Sequence, residues 1–461
     1  MKVHFIAIGG AVMHSLAIAL KQAGHEVTGS DDKIFDPAKS RLTQYELLPL
    51  TEGWDENRIT SDLDAVILGM HAFEDNPELA KAKALGLKIY SYPEFIYEQS
   101  KNKQRVVITG SYGKTTITSM VMHVLKGLNY SFDYLVGSQV EGFENPVSIK
   151  ESSYLTIIEG DEYLASKLDK RPKFLVYQPH IALISGISWD HINVFPTEEA
   201  YNQQFEQLIQ TMPKAGYILY NEQDKLLKEM VKAKKDSETM ESLYIYPFHT
   251  PSYKVRDGKY TVSFGENLLG MGGTKQEVSV FGKHNMTNIA AAWKVCEQLA
   301  VEVPDFLKHI ATFKGAKSRL ELVVNQPNRI VFKDFAHAPI KVLATVEAVL
   351  EMYPKRNVIA CLELHTFSSL NKEYLKQYAN TLQGAAHKIV FINKHIFAQK
   401  RISPIEVAEI QHAFADRNLH YVTDSEQLSA VLRFVAQNKN DVFLMMSSGD
   451  FGGIDLTAVG K

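Results

Sequence analysis

The stretch 106–120, VVITGSYGKTTITSM, limits the possible folds of this chain more than any other. The apolar run Val106–Ile108 leads into Thr109-Gly110-Ser111-Tyr112-Gly113-Lys114-Thr115-Thr116. This reads as a phosphate-binding loop two residues shorter than the usual G-x-x-x-x-G-K-[ST]. Beyond it, apolar residues recur at Ile117, Met120, Val121, Val124, Leu125 and Leu128, a spacing that predicts a helix ending near Gly127. A loop between a buried strand and a helix start points free N–H groups and the positive end of the helix dipole at one space, where anions settle. Lys114 would reach the β- and γ-phosphates of a nucleotide, and the Thr115 hydroxyl would ligate Mg²⁺.

A chain of 461 residues has room for two to four domains. With 45 % hydrophobic and 22 % charged residues it has the make-up of a soluble globular protein. A net charge of −3 gives no general attraction to nucleic acid or to an anionic membrane. The two cysteines, Cys296 and Cys361, sit apart in apolar surroundings, which fits a reduced, cytoplasmic setting. The opening MKVHFIAIGGAVMHSLAIAL is broken by Gly9-Gly10 and His14. It reads as strand, glycine turn and helix rather than as a secretion signal. No stretch approaches the roughly 18 uninterrupted apolar residues expected of a membrane span.

Residues 1–100 alternate strand and helix in a parallel, Rossmann-like pattern: strands Val3–Ile8, Glu26–Gly29, Ala65–Gly69 and Leu87–Tyr90, with a helix Ala11–Ala23. Ala7 and Val12 stand where a G-x-G-x-x-G fingerprint would want glycine, so a nucleotide other than NAD is expected. The polar run Ser100–Arg105 marks a first boundary, and Lys317 opens a third block. A hairpin Tyr253–Phe264 turns at Asp257-Gly258, and a glycine-rich loop Gly270–Gly273 follows. The third block repeats an α/β pattern, with helices expected at Pro339–Tyr353, Asn371–Leu382, Pro404–Phe414 and Ser425–Gln437.

Three polar clusters follow apolar strands, where ligands gather in open α/β sheets. SYLTIIEGDEY carries Glu159, Asp161 and Glu162. IALISGISWDHINVFP runs from a strand Ile181–Ile187 to Asp190-His191. RIVFKDFAHAP carries Asp334 and His337 ahead of Pro339. Glu159 and Thr115 suit a hard Mg²⁺ ion. Taken singly, Glu159 is equally a solvated strand end, His191 a loop histidine, and Asp334 and His337 helix-capping residues.

TGSYGKTT, IIEGDEY, SWDHINVFP, FGKHNMTNIAAA and KDFAHAP together resemble the Mur ligase family, in the family's order and over essentially the whole chain. The compact loop T-G-[ST]-x-G-K-[ST]-T is that family's own form. The N-terminal IAIGGAVMHSLAIALKQAGHEVTGSDD resembles the UDP-binding domain of its muramate–alanine branch. EGDEYLASKLDKRPKF, KSRLEL and LMMSSGDFGGI are most similar to the murein-peptide branch, whereas LELHTFSSLNKEYLKQYANTL looks more like the muramate–alanine branch.

The resemblance implies an α/β chain of three domains. These are a Rossmann-like UDP-sugar-binding domain (1–103), a central P-loop ATPase domain (104–316) and a Rossmann-like C-terminal ligase domain (317–461). It implies an ATP-dependent amide ligase acting through an acyl phosphate on small molecules: UDP-N-acetylmuramate, ATP, and either a peptide, L-alanyl-γ-D-glutamyl-meso-diaminopimelate, or L-alanine. Gly110, Ser111, Gly113, Lys114, Thr115 and Thr116 would cradle ATP. Thr115, Glu159 and His191 would hold Mg²⁺. Asn285, Asn288 and with them His284 would contact adenine, while Arg319 and Asp334 would close over the nucleotide. Lys114, His191 and His337 are the expected catalytic set. Gly9, Gly10, Asp31 and His71 would lie near the uridine diphosphate.

Tyr112, Ala338 and Val12 depart from the branch patterns, and the helix after His191 lacks the lysine that some members carboxylate. A folate-type polyglutamate ligase would share the central domain but lack the N-terminal one. A nucleotide-switched binding protein would keep Lys114 and Thr115 and need no carboxyl substrate.

Overall fold

The computed structural model describes residues 1–70, 72–192, 194–234, 242–265, 273–436 and 440–460. His71 and residues 270–272 of the glycine-rich loop lie outside them. The chain forms two compact units: 1–187 with 202–248 and 291–300, and 188–201 with 249–290 and 301–461.

The first unit holds two sheets. The N-terminal sheet is parallel, in the order Glu26–Ser30, Lys2–Ile6, Ala65–Leu68, Ile89–Ser91. The winding direction switches between its second and third members, the point beyond whose strand ends open α/β sheets take up ligands. The chain leaves Ile6 through Ala7–Gly10 into the helix Ala11–Gln22. Ala7 adopts a left-handed φ of 67°, the conformation in which the fingerprint would place glycine. Opposite it stands Gly69, whose Cβ, if it had one, would lie 3.0 Å from the Ala7 Cβ.

A charged group lies in the core of this small sheet. Glu78 and His4 have no solvent exposure. The Ser30 hydroxyl donates to Glu78 Oε2, His4 Nε2 lies 3.4 Å from the same atom, and the Asp55 N–H donates to Oε1 at 2.9 Å. Burial pushes the Glu78 carboxyl up, but the bonds from His4, Ser30 and Asp55 outweigh it and hold its pKa below the usual value.

The central sheet runs Tyr244–Phe248, Tyr217–Asn221, Ile181–Ile184, Gln104–Thr109, Leu155–Gly160, Asp133–Leu135, Val147–Ser148, parallel except for the last strand. Its middle strands are apolar runs buried on both faces, as parallel sheets require. The strand Gln104–Thr109 therefore ends between the ends of Leu155–Gly160 and Ile181–Ile184. The Ile181 strand stops at Ile184, three residues before the expected end, because Ser185 and Gly186 turn to bond the phosphate loop.

In the second unit a mostly parallel sheet has the order Glu321–Gln326, Arg329–Asp334, Asp441–Met446, Asn357–Glu363, His387–Phe391, His420–Val422. Apolar clusters cover it on two sides. Pro339–Met352 is helical as expected. Asn371–Leu382 is not one helix but Lys372–Leu375 plus a 3₁₀ turn, Lys376–Tyr378. Ala379 leaves the helical region, with φ −52° and ψ 125°, and Asn380 is left-handed, which ends the helical path. The expected Pro404 helix begins only at Val407, where Glu406 supplies a capping box. An antiparallel sheet, Tyr253–Arg256, Lys259–Phe264 and Thr274–Val278, turns at Asp257-Gly258, both left-handed, as a two-residue hairpin demands. Tyr253 and Tyr260 both donate to Glu351 of the Pro339 helix.

Glu78→Ala removes the acceptor of two buried donors and is expected to destabilise the protein by about 2–4 kcal/mol. Calorimetric melting against Glu78→Gln, which keeps an acceptor, measures the difference.

Candidate active site

The phosphate loop follows from its strand and its glycines. Gly110 and Gly113 take φ values of 116° and 76°. A side chain on Gly110 would collide with Ser185 Oγ at 2.4 Å and with the Gly186 carbonyl at 2.8 Å. The Ser111 N–H donates to the Gly186 carbonyl at 2.9 Å, and the Ser185 hydroxyl donates to the Tyr112 carbonyl. The Tyr112 side chain lies against Gly186, where a Cβ would meet its hydroxyl at 2.3 Å and its ring at 2.4 Å. The helix Lys114–Gly127 starts at Gly113 with no side-chain cap. Its first turn thus stays open to an anion. Ser111 is 2 % exposed and its hydroxyl is unpartnered.

On the other side of the loop stand the carboxylates of the Leu155 strand. Lys114 Nζ donates to the Gly110 carbonyl at 2.7 Å and to Glu162 Oε2 at 2.6 Å. Burial works against the lysine's charge, but Glu162, Asp161 and Glu159 outweigh it and keep its pKa raised. The Thr115 hydroxyl donates to Glu159 Oε1 at 2.7 Å, and the Gly137 N–H donates to Oε2 at 2.6 Å. A hydroxyl and a carboxylate side by side are the oxygen donors that Mg²⁺ prefers. The glycine cradle, the unpartnered Ser111 hydroxyl and the ammonium suit a triphosphate.

In the N-terminal sheet, Gly9 and Asp31 come together. Asp31 Oδ2 accepts the Gly9 N–H at 2.7 Å and Oδ1 accepts the Asp32 N–H at 3.0 Å. Burial pushes the Asp31 carboxyl up to about 6. The Gly10 N-cap opens the following helix without a side-chain cap.

In the second unit, Asp334 is buried and accepts the N–H groups of Leu320 and Ala336, each at 2.7 Å. Burial raises its pKa against the pull of the Arg319 charge. That guanidinium lies 4.6 Å over the Phe335 ring. Ser318 and Leu320, on either side of Arg319, are both left-handed. His337 is lowered to about 4 by burial and by Lys341, so its ring is neutral at pH 7. Asp190 Oδ2 lies 3.3 Å from Lys341 Nζ. Burial opposes the Asp190 charge, but Lys341, His191 and His337 hold its pKa well below the usual value. His191 is left-handed, and its N–H donates to Asp190 Oδ1 at 2.8 Å. Asn285 and Asn288 lie on one helix, with Asn288 Nδ2 donating to Asn285 Oδ1 at 3.3 Å. Burial lowers His284 to about 4, against an upward pull from the Ala344 backbone.

The sequence reading gave no role to Glu162, Ser185, Gly186, Lys341 or Glu78. Glu162 and Ser185-Gly186 carried a signal, a carboxylate and two small residues just past buried strands. Lys341 and Glu78 carried none, because a charged residue on a helix reads as a solvated face.

Three family models cover the chain: Mur ligase family, catalytic domain, over residues 2–104; Mur ligase middle domain over 108–296; and Mur ligase, glutamate ligase domain, over 318–449. This chain belongs to the Mur ligase family. It is accordingly an ATP-dependent ligase. It is 29 % identical to a UDP-N-acetylmuramate–L-alanine ligase of Caldicellulosiruptor bescii, over 97 % of this chain and 96 % of that one. It is also 29 % identical to the UDP-N-acetylmuramate–L-alanyl-γ-D-glutamyl-meso-2,6-diaminoheptandioate ligase of Escherichia coli, over 98 % and 96 %. The fold is shared with a murein peptide ligase of Psychrobacter arcticus, at TM-score 0.66, 22 % identity and coverage of 100 % and 99 %. A UDP-N-acetylmuramate–alanine ligase of Thermotoga maritima superposes at TM-score 0.70, with 20 % identity and coverage of 100 % and 97 %. No helix among the described residues is long and apolar enough to cross a membrane.

Gly110→Ala is expected to abolish ATP binding by isothermal titration, because its methyl would occupy the space of Ser185. Tyr112→Phe should change the ATP affinity less than about threefold, since the ring packs and its hydroxyl makes only a 3.5 Å contact with Asn221.

Proposed function

We propose that this Mur ligase joins the lactyl carboxylate of UDP-N-acetylmuramate to the amine of L-alanyl-γ-D-glutamyl-meso-diaminopimelate. The observation that carries the reading is the pairing of Lys114 with Glu162 and Gly110 at an open helix start, in a chain that also has a glycine turn fit for a second diphosphate. The carboxylate oxygen attacks the γ-phosphorus of ATP, ADP leaves, and an acyl phosphate forms. The neutral amine then attacks the acyl carbon, losing a proton, and phosphate leaves. Lys114 and the loop N–H groups offset charge on the transferring phosphoryl group.

Thr115, Glu159 and His191 would hold Mg²⁺, which supplies further charge neutralisation when bound. Asn285, Asn288, Arg319 and Asp334 are assigned to the nucleotide. Gly9, Gly10 and Asp31, with His71, are assigned to the UDP-sugar, and His337 to the amine side. The working division is 1–103, 104–316 and 317–461, in a cytoplasmic enzyme.

The murein-peptide-like stretch 159–174 supports the peptide as amine donor. A second reading, ligation of free L-alanine, is favoured by residues 362–382 and by the equal likeness to an alanine ligase. Mass spectrometry of products, with UDP-N-acetylmuramate offered together with either amine, decides between them. The tripeptide adduct is expected, and a preference for alanine overturns the choice. Lys114→Ala is expected to lower ligation at least 10³-fold while UDP-N-acetylmuramate still binds in calorimetry.

A further inference from the structure

The segment after Glu159 has a shape the mechanism above does not use. It forms a tight hairpin: the Lys173 N–H donates to the Tyr163 carbonyl at 3.0 Å, Ala165 N–H to the Arg171 carbonyl at 2.8 Å, and Ser166 N–H to the Asp169 carbonyl at 3.0 Å. Its base is closed by Lys173 Nζ on Asp161 Oδ2 at 2.5 Å and lies next to Glu162, the partner of Lys114. Its outer part walls a groove of about 710 Å³ with Glu94, Asp169, Lys170, Arg171, Gln204 and Gln207. Gln204 and Gln207 are three apart on the helix Glu198–Thr211 and so share a face.

The groove is sized for a small ligand and carries both signs of charge. Arg171 is held rigidly by Asp169, Nε to Oδ1 at 3.0 Å and one terminal nitrogen to Oδ2 at 2.6 Å. Its side chain remains 54 % exposed, and the guanidinium has five N–H groups to offer. Lys170 adds a second, exposed cation. Glu94 Oε2 accepts the Ser91 N–H and hydroxyl at 2.8 Å and its Oε1 lies 3.7 Å from Arg171, which leaves Oε1 as the acceptor for an ammonium, and the two glutamines donate and accept. A polyanion such as a nucleotide would meet two carboxylates here, and Leu168 is the apolar side chain on its wall.

Resting on the reading of the protein as a peptide-adding ligase, we infer that this groove binds the α-amino carboxylate head of a diamino acid at the far end of the amine substrate. Arg171 and Lys170 take its carboxylate, and Glu94 takes its ammonium. The lengths agree. The groove residues stand two to four residues up the hairpin from its base, roughly 7–13 Å at 3.3 Å per residue. An extended tripeptide spans about 10 Å of backbone, lengthened by a γ-linkage and by the side chain of its last residue. A free amino acid has no second head group to place in the groove. The groove is therefore a specificity device that separates a long amine substrate from alanine.

The test compares steady-state kinetics on L-alanyl-γ-D-glutamyl-meso-diaminopimelate and on L-alanyl-γ-D-glutamate, which lacks the diamino acid. Arg171→Gln and Lys170→Gln are each expected to lower kcat/KM for the tripeptide at least tenfold. The KM for ATP and for UDP-N-acetylmuramate should stay unchanged. The dipeptide should be a poor substrate of the wild type, and indifferent to both substitutions. Arg171→Lys should recover part of the tripeptide activity. Tripeptide kcat/KM within twofold of wild type in both variants overturns the inference, as does an equal loss on both peptides. A wild-type enzyme that ligates no peptide removes the reading beneath it, and that result is seen before any variant is made.

Discussion

The bond between Lys114 and Glu162 is the constraint around which the first unit is arranged. Glu162 is 1 % exposed and Lys114 14 %, so neither charge is tolerable there alone. Removing one partner of such a pair typically costs about 3–5 kcal/mol. Strand order makes the pair possible. The Gln104 strand lies between two others, one ending in Ser185-Gly186 and one in Glu159–Glu162. The first neighbour shapes the loop backbone and the second supplies its charge. A nucleotide's phosphates would take over donors that are already ionised and already aimed, which is the preorganised form of electrostatic stabilisation.

The second unit solves a similar problem with other means. Asp334 is ringed by backbone N–H groups and faces Arg319, whose planar cation rests on an aromatic ring. Asp190 is kept ionised by Lys341 although it is buried. In each case a buried carboxylate is matched to a cation or to N–H donors, as buried polar groups require.

Most of the fold was legible because it rests on local patterns. Apolar runs followed by glycine or acidic residues marked the parallel strands, and Asp257-Gly258 marked the hairpin. The phosphate loop named its own neighbours, Gly110, Gly113, Lys114 and Thr115. What sequence did not disclose came from pairings between distant segments. Ser185 and Gly186 matter because the Ile181 strand lies beside the Gln104 strand, an order that no local pattern encodes. Glu78 looks like a surface residue until three other segments are seen to converge on it. The break at Ala379-Asn380 was missed for another reason. Helical spacing continues through residues 371–382, and only backbone conformation stops it.

Ala7 and Gly69 face each other in the N-terminal sheet, where a Cβ on Gly69 would meet the Ala7 Cβ at 3.0 Å and the carbonyl oxygens of Ala7 and Ile6 at 3.1 Å. Ala7 holds that place despite a left-handed backbone, which typically costs about 1–2 kcal/mol outside glycine. Position 69 is therefore kept bare by backbone carbonyls as well as by the Ala7 methyl, so that position would stay glycine through a lineage even where residue 7 itself became glycine.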